Sequence, residues 1–170
     1  MTVKITKPEI TSLREKLNEL EFGKLPLDKI PAGSVVQIVS KQEGDQDHFT
    51  TSSSYQDIID VEITPKFKNS KILVWYTGSE QMYGNNTSSS WGGTLHLFRG
   101  DTNLFGHTST GDFESNAGST QYLSFPVSKK YVDTPNTTET ITYTAKHKIT
   151  NGARIGTLQD ANIVCMEIKQ

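Results

Sequence analysis

From residue 32 onward the apolar periodicity of the chain, where it has one, is of every second position, and that period admits strands but not helices. Ile59, Val61 and Ile63 alternate with Asp60, Glu62 and Thr64; Leu123, Phe125 and Val127 alternate with Ser124 and Pro126; Ile141, Tyr143, Ala145, His147 and Ile149 alternate with Thr142, Thr144, Lys146 and Lys148. Successive side chains of a strand point to opposite faces, so each segment reads as a strand with one face on a core and one in water. Segments 34–40, 71–76 and 162–168 are more continuously apolar. They predict central strands covered on both faces, by a second sheet or by a neighbouring subunit. With residues 94–99 the count reaches about seven to nine strands, separated by turn residues at Gly44, 65–69, 100–103, 133–136 and 151–152. Composition agrees: 21 Thr and 16 Ser among 170 residues suit hydroxyl-rich strand faces and irregular loops better than helices. The expected fold is all-β, an antiparallel β-sandwich of jelly-roll type spanning residues 32–170.

Residues 8–22 break the pattern. Pro8 can open a helix, and Ile10, Leu13, Leu17 and Leu20 recur at spacings of three, four and three, as coiled-coil core positions do. A Pro-punctuated segment, 23–31, separates this stretch from the strands. Residues 1–31 are therefore expected to be a helical stem and linker, with those four apolar residues as oligomerisation contacts. Two heptads are too short to hold chains together alone, so the β domain is expected to supply the main assembly contacts.

Several function classes are disfavoured. Net charge is −2 and no basic run stands out, so nucleic acid is not an expected partner. The longest apolar run, 72–76, is far short of a membrane span, and the N-terminal residues lack the apolar stretch of a signal peptide. The lone Cys165 lies in an apolar segment and reads as a buried, inert thiol. His48, His96, His107 and His147 lack metal-ligand spacing, and Asp45 and Asp47 lack the remaining ligands of a calcium loop, so neither metal nor cofactor is expected. Nucleophile-elbow, phosphate-loop and dinucleotide motifs are absent. The acid pairs Asp57/Asp60 and Asp112/Glu114 read as surface charge, so the chain is expected to be non-enzymatic.

Two segments, 78–93 and 106–120, lack apolar periodicity and read as long loops, where binding is usually carried. In the first, Tyr83 and Trp91 bracket Asn85, Asn86 and three serines. An aromatic face against sugar C–H groups, with amides bonding hydroxyls, is how saccharides are commonly held. Tyr83, Asn85, Asn86 and Trp91 are thus the candidate receptor-binding residues, with glycan as the ligand. Trp91 serves equally well as a plug for the end of the sandwich.

The sequence 25–39 (Leu-Pro…Pro-Ala-Gly-Ser-Val-Val-Gln-Ile-Val), the Ser/Thr cluster with aromatics at 49–55, Val-Glu-Ile-Thr-Pro-Lys-Phe-Lys-Asn-Ser-Lys-Ile-Leu-Val at 61–74 and Ile-Val-Cys-Met-Glu-Ile at 163–168 resemble the C-terminal domains of tail fibres and other virion fibres of tailed bacteriophages. Phages of marine and cyanobacterial hosts are the nearest in character. The resemblance covers roughly residues 25–76 and 155–170. It implies a homotrimeric β-sandwich knob on a coiled-coil stem, located in the virion and joined to other virion proteins through the stem. Attachment to tail or to capsid is left open. The alternative is a structural decoration or connecting protein that binds only other virion proteins.

Overall fold

The computed structural model describes residue 15 and residues 26–44, 47–84, 91–105, 113–115, 122–151, 154–157 and 160–170. Ile10, Leu13, Leu17 and Leu20 lie outside these; Glu15, the one described residue between them, is helical. Among the described residues a 3₁₀ turn, Leu27–Lys29, leads into eleven strands: β1 Val35–Gln42, β2 His48–Thr50, β3 Gln56–Ile63, β4 Lys71–Tyr83, β5 Trp91–Arg99, β6 Thr102–Asn103, β7 Phe113–Ser115, β8 Tyr122–Asp133, β9 Ile141–Asn151, β10 Arg154–Thr157 and β11 Asn162–Ile168.

All pairings are antiparallel, and they build two sheets that face each other. In the first, β4 is central: β8 runs along one edge, while β11 and β10 lie in line along the other, extended by β1 and β2 respectively. In the second, β9 sits between β3 and β5, and short β6 and β7 lie along the far edge of β5. The chain is an all-β sandwich, as its period implies. Alternation delivers Ile59, Val61, Ile63, Leu95, Leu97, Tyr143 and Ala145 from one sheet against Ile72, Val74, Tyr76, Ile163 and Cys165 from the other, all buried. Burying each of the Val, Leu and Ile side chains in this set stabilises by roughly 1.5–3 kcal/mol.

Two expectations need correction. Residues 78–83 are not loop; they continue β4, which alternates strictly between buried and partly exposed positions to its end. Its inward positions there are Gly78, Glu80 and Met82, so the alternation is real but not apolar. Likewise 106–120 is not all loop, since Phe113–Ser115 form β7 on the edge of β5. The other correction concerns segment 34–40, which forms the edge strand β1 and not a central one; within this chain the second sheet covers only one face of β4 and β11. Register aligns Ile38, Met166, Leu73 and Val132 in one row across four strands on the outer face of the first sheet. Ile38 is 58% exposed, Val132 53% and neighbouring Trp75 41%. Cys165 points into the core and Met166 away from it, as alternation requires.

One end of the sandwich is tied by a buried carboxylate. Glu167 accepts hydrogen bonds from the backbone N–H groups of Lys66 (2.8 Å) and Phe67 (3.0 Å), from Ser70 Oγ (2.6 Å) and from Gln37 Nε2 (2.7 Å), fixing the 64–70 turn. Beside it Lys169 donates to the carbonyls of Leu27, Asp28 and Ile30 and exchanges backbone bonds with Gly33 and Ser34. The segment preceding β1 therefore enters at the Lys71 end of β4.

Candidate functional site

The opposite end of β4 collects chemistry. There Tyr83 pairs with Arg154 of β10, and Gly156 lies between Gln81 of β4 and Phe49 of β2. The Arg154 guanidinium carbon is 4.6 Å from the Phe49 ring centre and 5.1 Å from that of Tyr83, so the cation is held between two aromatic faces. Each such contact is worth about 0.5–1 kcal/mol when partly exposed. Gly156 makes the arrangement possible: a Cβ there would collide with the Phe49 ring, which lies across the β10 backbone. Phe49 keeps 36% of its surface exposed.

Phe49 also belongs to the wall of a cavity of about 550 Å³ at the edge between the sheets. Residues 47–50 form one side, residues 55–57 the other, and His147 of β9 contributes from the interior. The rim is polar and carries carboxylates: Asp57 pairs with Lys146 at 2.9 Å, and His48 Nε2 stands 3.4 Å from Glu43.

Behind the cavity lies a polar cluster between the sheets. Glu80 is fully buried, and its Oε1 accepts from Thr157 Oγ1 (2.6 Å) and the Tyr76 hydroxyl (3.0 Å). Tyr76, Gly78 and Glu80 share one face of β4. A side chain at 78 would meet the Tyr76 hydroxyl, so this glycine lets the phenol lie along the strand and reach the carboxylate. Burial, then the Glu80 charge, push the Tyr76 phenol well above its ordinary range. Glu80 Oε2 faces His147 Nδ1 at 3.6 Å; neither atom has a hydrogen-bond partner, and His147 is 1% exposed.

Of the residues singled out in sequence, Tyr83 is in the aromatic stack, and Trp91 opens β5 at the same end of the molecule. Asn85 and Asn86 lie outside the described residues. Phe49, Arg154, Glu80 and His147 join the site without having been marked as part of it. The available signal was the two-residue spacing of Tyr76, Gly78 and Glu80, which continues the strand face preceding it. Asp57 and Asp60 are engaged in ion pairs with Lys146 and Lys41. No helix among the described residues is long and apolar enough to cross a membrane. No protein-family model matches the chain, and no curated protein matches it.

Proposed function

We propose that this chain is a non-enzymatic virion fibre protein of a bacteriophage, a homotrimeric knob that attaches to host-surface glycan and joins other virion proteins through an N-terminal coiled-coil stem, residues 1–31. The observation that carries this reading is the polarity of β4. The segment preceding β1 enters at its Lys71 end, and the Phe49–Arg154–Tyr83 stack sits at its Tyr83 end. Thirteen residues of strand set the two about 40 Å apart. A stem at one end and aromatic groups at the other suit an attachment domain.

Two further features support it. Taken as continuous strands, β1 with β2 and β10 with β11 give the sheets the two-fold interleaved order expected of a jelly roll. The row Ile38, Met166, Leu73 and Val132 leaves apolar surface on a sheet face that further copies of this chain would cover. Three copies raise a weak per-site glycan affinity by avidity. Such a protein is made in the host cytoplasm and resides in the virion.

The same apolar row favours a second reading, a decoration or connecting protein with only virion partners. Light scattering and a cell-binding assay with the fluorescently labelled full chain separate the two. Trimer mass with saturable binding to a bacterial panel is expected; a chain that binds purified virion parts but no bacterium establishes the second reading instead.

A further inference from the structure

The Glu80–His147 pair is a poor way to stabilise a core. A buried carboxylate and imidazole lose hydration, and apolar side chains of like volume would serve stability at least as well. The pair also differs from the buried acid Glu167, whose oxygens are fully engaged: here one carboxylate oxygen and one ring nitrogen face each other without a hydrogen bond. What the pair does have is a cavity in front of it, because His147 forms part of the wall.

We propose that this cavity is the saccharide pocket, and that it takes an uncharged sugar whose hydroxyl donates to Nε2 of His147. This rests on the glycan-attachment reading above and names its ligand class. Glu80 Oε1 is occupied by two hydroxyl donors, so the free lone pairs of Oε2 call for a proton on Nδ1. A ring shift of about half an ångström closes the 3.6 Å gap to a hydrogen bond. With the proton held on Nδ1, Nε2 is left as an acceptor. Glu80 is thus a positioning residue. The Phe49 ring offers an apolar face to sugar C–H groups, and a volume of about 550 Å³ falls within the range of small-ligand sites. Asp57 at the rim is neutralised by Lys146, but Asp47, with Glu80 behind, disfavours uronate or sialate carboxylates by like charge.

The test uses the full-length chain on an array carrying neutral hexose oligosaccharides and uronic-acid oligosaccharides of equal length. Neutral members should bind, and His147→Phe and Gln56→Trp should each weaken binding at least tenfold. Gln56 is an exposed wall residue whose amide bonds only to residues 52–55, so its Trp variant fills the cavity without touching the core and decides the matter if His147→Phe does not fold. Nitrogen-15 spectra should show the proton of His147 on Nδ1, and Glu80→Ala should abolish that preference. Preference for uronate members, wild-type binding by Gln56→Trp, a proton on Nε2, or no array binding at all overturns the pocket. If the labelled chain still adsorbs to bacteria in those cases, attachment survives without this site; loss of adsorption as well removes the attachment reading.

Discussion

Glu167 shows how a buried charge is kept. Burial pushes its carboxyl up, but hydrogen bonds from Ser70, the Lys66 N–H, Gln37 and the Phe67 N–H outweigh that and hold it below its ordinary value of 4.5. A carboxyl depressed on folding adds stability above its unfolded value and loses it as pH falls through the folded one. Melting temperature should therefore drop as pH is taken below about 4.5. Glu167→Gln should flatten that slope and cost about 2–3 kcal/mol at neutral pH; an unchanged slope in the variant contradicts this account. Two residues earlier on the same inward face, burial pushes the Cys165 thiol up to about 12, so it stays protonated and inert. Native protein at pH 8 should resist thiol reagents for as long as it remains folded, with modification tracking unfolding in denaturant. Rapid labelling without denaturant would show that the last strand is not packed as described.

At the scale of elements, β4 organises the first sheet, pairing with β8 on one side and with β10 and β11 on the other. Its outer row with Ile38, Met166 and Val132 is the surface on which the proposed assembly depends. Leu73→Asp with Val132→Asp should leave the monomer folded, because both side chains point away from the core, and should shift light scattering from trimer to monomer mass. A trimer that survives both substitutions moves the interface elsewhere. The first half of β4 was legible in sequence because its inward positions, Ile72, Val74 and Tyr76, are apolar. The second half was not. Gly78 and Glu80 point inward with no apolar signal, and what makes their burial tolerable comes from Thr157 and His147, far along the chain. Local pattern carries no trace of such partners. Cys165 and Met166 were legible for the opposite reason: their placement needs only the two-residue period.

For the molecule as a whole, the polarity between the end where the segment before β1 enters and the end that carries the aromatic stack was not readable from sequence. It follows from β10 returning alongside the far half of β4 and from β2 adding to its edge, which brings Phe49, Tyr83 and Arg154 together across 105 positions of chain. Tyr83 was marked by its setting in a polar stretch, whereas Phe49 and Arg154 acquire meaning only through that topology. Gly156→Ala should displace the Phe49 ring and weaken the proposed attachment without dissociating the proposed trimer, since the first contact a methyl group makes there is with that ring. The most direct test of attachment through this end is competition for adsorption to a susceptible bacterium, comparing the wild-type chain with the Phe49→Ala, Tyr83→Ala double variant. The expected result is blocking by wild type and none by the variant, with equal oligomeric mass and a melting temperature within a few degrees. A folded variant that blocks as well as wild type would contradict the account.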